Sequence, residues 1–282
     1  MKADIVSLVR DTLVEAGSTF RPDKKEAYRQ AIERENNEQA RWVLEQILAN
    51  AEAAEHSKSP LCDDSGIPHL VLEVGPNQAV SGQMLDDIQE GVRQGLRKLP
   101  GRPMGIMGDD SQRIDQSGGL NPDSAGVECA PILLRRCSED VLRLHILMFG
   151  GGPAIRGKTY RIFHKHSTEV VLGEIVDWAK ESVAQLGCSP CTLAVGVGRS
   201  HFEASAMMLL AQVEGKYDIQ SEMESEITRR VNEANIGPLG LGGNTSVIAT
   251  FMKVGPQRAS GVRIVCVRPT CCFEPRVATV EL

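Results

Sequence analysis

The stretch Leu61-Cys62-Asp63-Asp64-Ser65-Gly66-Ile67 separates a charged helical region from an apolar strand, and the chain is read outward from it. A soft thiolate stands there beside hard carboxylate and hydroxyl donors. Such a set can hold a metal and meet a polar substrate at one place. The plainer alternative is a turn whose Asp and Ser side chains cap the backbone. Two more cysteine-bearing turns of the same character follow, at Cys188-Ser189-Pro190-Cys191 and Thr270-Cys271-Cys272-Phe273. Each adjoins a predicted strand end and a glycine or proline.

Upstream, residues 3–57 read as helical. Ile5, Leu8, Val9, Leu13 and Val14 recur at helical spacing. Lys24 to Glu35 is a charged helix, and Asn37 to His56 places Trp42, Val43, Ile47 and Leu48 on one stripe. Downstream, His69 to Val74 reads as a strand and Gln83 to Leu99 as a helix. Pro100 to Pro122 is a loop rich in Gly, Asp, Ser and Pro, and loops of that length are commonly functional. Gly126–Arg135 and Val141–Phe149 predict a hairpin about Ser138-Glu139-Asp140. Gly150-Gly151-Gly152 closes that second strand, where converging N–H groups suit an anion such as a carboxylate. The spacing to Lys158 excludes a Walker phosphate loop.

Ser167 to Leu186 predicts a helix with Ser167 as its N-cap and Gly187 as its C-terminal stop. A strand at Thr192–Val197 and helices at Phe202–Glu214 and Glu222–Ala234 come next. A glycine loop over Ile236–Ser246 and strands at Val247–Val254, Val262–Val267 and Val277–Leu282 complete the pattern. The fold class is α/β in the mixed α+β sense: an N-terminal helical layer (1–57), then a core of mixed sheets with helices (58–282). No linker-like stretch divides it, so 1–282 reads as a single domain.

The 282 residues carry a net charge of −6, with 41% hydrophobic and 24% charged residues. That is a globular composition with no nucleic-acid surface. No apolar run is long enough for a membrane span, and Met1-Lys2-Ala3-Asp4-Ile5 lacks the apolar core of a leader, so a cytoplasmic location is the default expectation. In that compartment the eight cysteines are expected as thiols or metal ligands. Cys129 and Cys266 sit in strand-like runs and read as small buried residues.

Three single thiolates from Cys62, the Cys188/Cys191 pair and the Cys271/Cys272 pair would leave one coordination position open, as a catalytic metal requires. On an iron–sulfur cluster, three cysteines leave one iron able to act on a substrate as a Lewis acid. The rivals are a structural zinc site from Cys188, Cys191, Cys271 and Cys272, and a thiol redox pair at Cys188 and Cys191. A non-catalytic scaffold stabilised by zinc or a cluster is the alternative function.

The motifs taken together resemble the α subunit of the iron–sulfur hydro-lyases, class I fumarate hydratase and L-tartrate dehydratase. Pro60-Leu61-Cys62-Asp63-Asp64-Ser65-Gly66 resembles the family's C-Q-D-T-G, and Gly150–Gly152 its G-G-G turn. Cys188-Ser189-Pro190 resembles its C-P-P. Ile236-Gly237-Pro238-Leu239-Gly240-Leu241-Gly242-Gly243-Asn244-Thr245 resembles its I-G-P-Q-G-x-x-G-[KN]-[TS], and Gly261 through Cys271 its last cysteine strand and turn. The motifs keep the family's order from about residue 60 to the end.

The resemblance implies the α-subunit fold of class I fumarase and a [4Fe–4S] cluster held by Cys62, Cys188 and Cys271, with Cys191 and Cys272 as adjacent alternatives. It places Asp64 beside the substrate and Gly151 and Gly152 as backbone donors. Arg102 lies near the family's substrate-binding arginine. Lys158 and Asn244 are further candidates for holding a carboxylate. The implied reaction is reversible addition of water to a small dicarboxylate of fumarate/malate or tartrate type. His69, His145, His164, His166 and His201 offer no convincing base. The resemblance supplies that base, and several carboxylate contacts, from a β subunit or a C-terminal domain. It thus implies a hetero-oligomer, α2β2 being one form, with no nucleic-acid or membrane partner. Three departures stand out. Asp63 replaces the usual glutamine and adds negative charge, which disfavours a dianionic substrate unless the aspartate is paired or protonated. Asn244 agrees with tartrate-type sequences, and Ser189 replaces the first proline.

Overall fold

The computed structural model describes residues 4–99, 101–102 and 104–282. Met1–Ala3, part of the segment read as lacking a leader's apolar core, and Pro100 and Pro103 of the glycine-rich loop lie outside the described residues. In chain order the elements are α1 (Ile5–Ser18), α2 (Pro22–Arg34), α3 (Glu38–Ser57), β1 (Ile67–Val74), α4 (Gly82–Lys98), α5 (Asp110–Asp115), β2 (Leu133–Arg136), β3 (Leu142–Phe149) and α6 (Gly151–Ala154). They continue as β4 (Lys158–Phe163), α7 (Thr168–Ala184), β5 (Cys191–Gly198), α8 (His201–Glu214), α9 (Glu222–Asn232), β6 (Val247–Val254), β7 (Val262–Pro269) and β8 (Val277–Glu281). These residues gather into two compact units. The first comprises the chain up to Thr19, Ala51–Gly151 and Arg276–Leu282, and the second comprises Phe20–Asn50 and Gly152–Pro275.

The first unit is built on a sheet of order β2-β1-β3-β8. β1 runs parallel to β2 and antiparallel to β3, which is antiparallel to β8. Successive side chains of a strand point to opposite faces. Leu70, Leu72, Leu144, Ile146, Met148 and Ala278 therefore share one face, and they are buried with Val9 and Leu13 of α1 and Ile88, Val92 and Leu96 of α4. Helices α1 and α4 meet through glycine. A Cβ on Gly91 would stand 2.6 Å from Val9 Cβ and 2.8 Å from the Val6 carbonyl oxygen, and one on Gly95 would stand 2.9 Å from Leu13 Cβ.

The second unit holds a sheet of order β4-β7-β5-β6. β5 is buried along its whole length. It is parallel to β6 and antiparallel to β7. Leu193, Val195 and Val197 pack with Val265 and Val267 under Ile175 and Val176 of α7 and Ile227 and Val231 of α9. The alternate face carries Ala194 and Gly196. A Cβ on Gly196 would meet the Ala204 carbonyl oxygen at 2.0 Å, so the missing side chain is what admits α8 onto that face.

The mixed α+β class and most elements match the sequence expectation. The predicted hairpin is corrected. β2 and β3 are not neighbours; β1 lies between them, and the β1–β2 pairing is parallel. The segment before β2 forms a 3-10 turn at Ser124–Val127, and Cys129 lies outside any strand. α5 lies in the region read as loop, and the edge strand β4 was not predicted; its charged residues carry no period-2 apolar signal. On α3 the buried stripe is Ala40, Val43, Leu44, Ile47 and Ala51, while Trp42 is 61% exposed and faces away. No helix among the described residues is long and apolar enough to cross a membrane.

Gly91→Ala should destabilise the protein by about 1–3 kcal/mol, because the clash includes the Val6 backbone and no rotamer relieves it. Gly82→Ala on the same helix meets nothing within 4 Å and should be neutral or gain roughly 0.4–1 kcal/mol. Urea unfolding of both variants checks the contrast.

Candidate functional site

In the first unit the antiparallel register sets Ile67 opposite Phe149, so the turn leading into β1 lies beside the turn leaving β3. Gly66 has φ +88, and a Cβ there would fall 2.6 Å from the Phe149 carbonyl oxygen. The turn is anchored upstream by Leu61 N–H, which donates to the Gly17 carbonyl at 3.0 Å. Asp63 does the capping that a plain turn requires: its Oδ1 accepts from Asp64 N–H at 3.0 Å and from the Cys62 thiol at 3.4 Å. Asp64 does something else. Its Oδ2 accepts from Gly151 N–H at 2.9 Å, while its Oδ1 is buried with no hydrogen-bond partner among the described residues. The glycine turn thus meets a carboxylate, and that carboxylate belongs to Asp64.

Arg102 links the two acids. Its backbone N–H donates to the Asp63 carbonyl at 2.9 Å, and its guanidinium lies 3.6 Å from Asp63 Oδ2 and 3.7 Å from Asp64 Oδ2. The Asp63 carboxyl is held below its ordinary value by the Cys62 hydrogen bond and then by Arg102. The added negative charge is therefore ionised and paired. Beneath the turn, Arg276 is 2% exposed; its Nη1 donates to the Asp64 carbonyl at 2.8 Å and its Nε to the Met148 carbonyl at 3.2 Å. It staples the Asp64 turn to the end of β3.

The second unit repeats this logic. Leu193 pairs with Pro269 in the antiparallel β5–β7 ladder, so the turn before β5 lies beside the turn after β7. Cys272 N–H donates to the Cys188 carbonyl at 2.9 Å, and Thr270 N–H to the Thr192 carbonyl at 2.9 Å. Cys188 is exposed and Cys271 half-buried, whereas Cys191 and Cys272 are buried. Burial, then the nearby Cys271, raises the Cys188 thiol, and the Arg156 charge opposes that rise. Burial drives Cys191 far above the usual thiol range, and a hydrogen bond with Cys271 together with burial does the same to Cys272. Those two thiols are closed off from solvent, whereas Cys188 and Cys271 are not.

The Cys271 turn is gripped by α2. Tyr28 Oη donates to the Cys272 carbonyl at 2.7 Å, and Lys24 Nζ, 1% exposed in residue terms, donates to the Glu274 carbonyl at 2.8 Å. Arg268 and Glu274 form a buried ion pair at 2.6 Å. The Cys188 turn is gripped by the glycine loop: Ser189 Oγ donates to the Gly237 carbonyl at 2.6 Å, and Leu239 N–H to the Ser189 carbonyl at 3.1 Å.

Among the sequence candidates, Cys62, Asp64, Arg102 and Gly151 come together in the first unit. Cys188 and Cys271 come together in the second, with Gly152 joined through its carbonyl to Arg156 at 2.9 Å. Lys158 and Asn244 are engaged elsewhere. Lys158 Nζ sits 4.3 Å from the Trp178 ring centroid. Asn244 donates through its backbone N–H to Glu35 Oε2 at 2.8 Å and through Nδ2 to the Arg34 carbonyl at 3.1 Å. Sequence reasoning passed over Arg276, Arg156, Lys24 and Tyr28. Arg276 carried a usable signal, being an arginine in the turn between the last cysteines and the last strand. Among the described residues no group of three or more His, Cys, Asp or Glu side chains is drawn together to hold a single metal ion.

A family model described as fumarate hydratase (Fumerase) matches residues 6–281. The chain belongs to the fumarate hydratase (Fumerase) family. Its relatives include a Methanocaldococcus jannaschii protein named "Putative L(+)-tartrate dehydratase subunit alpha", 24% identical over 285 residues, covering 97% of this chain and 96% of that one. An L(+)-tartrate dehydratase subunit alpha of Escherichia coli K12 is 21% identical over 272 residues, covering 93% of this chain and 86% of its own length. A Geobacillus stearothermophilus protein named "Putative fumarate hydratase class I" is 24% identical over 258 residues, covering 86% of this chain; the match spans 48% of that protein. This Fumerase member is thus similar in length to the tartrate dehydratase α subunits and to about half of the class I fumarate hydratase.

Thiol chemistry on the native protein should follow exposure. Brief alkylation with iodoacetamide mapped by mass spectrometry should label Cys188 first, then Cys62 and Cys271, and leave Cys191 and Cys272 unlabelled until unfolding. Early labelling of Cys191 would contradict the burial described.

Proposed function

We propose that this chain is the α subunit of a [4Fe–4S]-dependent hydro-lyase acting reversibly on a small dicarboxylate of fumarate/malate or tartrate type. It acts as a single α-subunit domain, and a β subunit completes the active site. The observation that carries this reading is the pattern of exposure in the cysteine turns. Cys188 is exposed and Cys62 and Cys271 are half-buried, whereas Cys191 and Cys272, which adjoin Cys188 and Cys271, are buried. Cys62, Cys188 and Cys271 are therefore the assigned ligands. Bound there, the cluster would supply Lewis-acid polarisation of a substrate oxygen.

The chain's own groups bind and orient. Asp64 Oδ1, a buried acceptor with no hydrogen bond among the described residues, is positioned to take a proton from the water that adds and to return it to the hydroxyl that leaves. Gly151 holds the other oxygen of that carboxylate in place. Arg102, 58% exposed at its side chain, is free to turn from Asp63 to a substrate carboxylate. A Cβ on Gly152 would meet nothing within 4 Å, so the backbone there is open to a bound acid. The base for the carbon-bound proton is assigned to the β subunit.

Asp64→Asn in the anaerobically reconstituted α and β pair should lower kcat on the best of fumarate, malate and tartrate by about a hundredfold or more, as expected for loss of a proton-handling group. Cluster content should be unchanged. Full activity in that variant would remove Asp64 from the reaction.

A further inference from the structure

The carboxyl ends of β5 and β6 lie side by side, because the two strands are parallel and Val197 is in register with Val254. In sheets of this kind ligands bind in the crevice outside the carboxyl ends of parallel strands. In the second unit that end holds a cavity of about 300 Å³, large enough for a small molecule. The Cys188 and Cys271 turns adjoin the opposite end, at the start of β5 and the end of β7. Roughly 20 Å of extended strand separates the two ends of β5.

Both rims of the cavity are held by hydrogen bonds. Gly255 N–H donates to the Val197 carbonyl at 2.9 Å, and Gln257 Nε2 donates to the Gly255 carbonyl at 2.9 Å, so the chain leaving β6 closes over the end of β5. On the other rim His164 fixes the turn that enters α7. Its Nδ1 accepts from His166 N–H at 3.0 Å, and its Nε2–H donates to the Ser260 carbonyl at 2.7 Å. The walls are apolar: Leu172 of α7, Met223 of α9, Val197 of β5, and Met252 and Val254 of β6. Met223 is 39% exposed and Val254 51%, so part of that apolar surface is left open, and the two thioethers can adapt to what fills it.

Arg263 faces these walls. Its Nη1 donates to the Ser260 carbonyl at 3.3 Å and the Val262 carbonyl at 2.9 Å, which anchors the guanidinium. Its Nε and Nη2 make no hydrogen bond among the described residues, and no Asp or Glu among them lines the cavity. An anchored guanidinium with donors to spare, set against an apolar wall, complements a carboxylate that carries an apolar tail. A second carboxylate on the far end of such a tail would be desolvated without a partner.

We propose that this cavity is a second binding site, for a small monocarboxylate with an apolar tail, its carboxylate on Arg263 and its tail along Met223, Met252 and Val254. The site owes nothing to the cysteine turns, so it stands whether or not the chain carries a cluster.

The test is an NMR titration of the full chain, as purified, with octanoate, octanol, acetate and octanedioate, on wild type, Arg263→Gln and Val254→Glu. Octanoate should saturate at one molecule per chain. Octanol, which lacks the charge, acetate, which lacks the tail, and octanedioate, which adds a second charge, should each bind about tenfold or more weakly. Both substitutions should weaken octanoate by a similar factor. Val254 ends β6 at an exposed position, so Val254→Glu keeps the core and decides alone should Arg263→Gln not fold. An alkyl carboxylate bearing a diazirine should crosslink to Met223 or Met252 on irradiation, as mapped by mass spectrometry. Absence of saturable octanoate binding, octanol or octanedioate binding as tightly as octanoate, or octanoate binding unchanged in Val254→Glu would each overturn the proposal.

Discussion

Antiparallel pairing is the constraint on which the turns of both units depend. In an antiparallel ladder the start of one strand must lie beside the end of its neighbour. In the first unit that rule joins the Cys62–Gly66 turn to Gly150 and Gly151 through the Ile67–Phe149 register. In the second it joins the Cys188 turn to the Cys271 turn through the Leu193–Pro269 register. Chemistry-bearing residues far apart in sequence are thus brought together by backbone hydrogen bonds alone. A one-residue slip in either register would turn every side chain to the opposite face, taking Leu70 and Leu72, or Leu193 and Val195, out of the cores they fill. The cores therefore hold the sites in register.

Around both ladders the turns are held by cations bonded to backbone carbonyls. Arg276 holds Asp64 and Met148, Lys24 holds Glu274, and Arg156 holds Gly152 and Gln185. Burying a charge is unfavourable unless it is hydrogen-bonded or paired. Arg276 and Lys24 are offset by such bonds, and Arg268 by Glu274 at 2.6 Å.

Much of this was readable in the amino-acid order. Helices with strong caps declared themselves: Ser167 does cap α7, accepting from Val170 N–H. Buried strands such as β5 and β6 were found within a residue or two because their apolar runs are bounded by Gly, Pro and Cys. The strand order was not readable. Val141–Phe149 and the segment before it are close in sequence and looked like a hairpin, but the partner between them comes from residues 67–74, and nothing local encodes that. β4 was missed because an edge strand need not alternate. At the site, the order of motifs pointed to the three turns. It could not separate Cys188 from Cys191 or Cys271 from Cys272, since burial is a property of packing. Lys24 shows the same limit from the other side: within a charged helix it reads as solvated, and only the fold puts it under the Cys271 turn.

The central claim is that Cys62, Cys188 and Cys271 hold a cluster with one corner left for the substrate. Mössbauer spectroscopy of the chain reconstituted with iron-57 and sulfide under anaerobic conditions addresses it directly. The account predicts one iron site distinct from the others, with parameters that change when malate or tartrate is added to the α and β pair. Equivalent, fully sulfur-coordinated irons that ignore the dicarboxylate, or a protein that retains zinc and no iron, would contradict it.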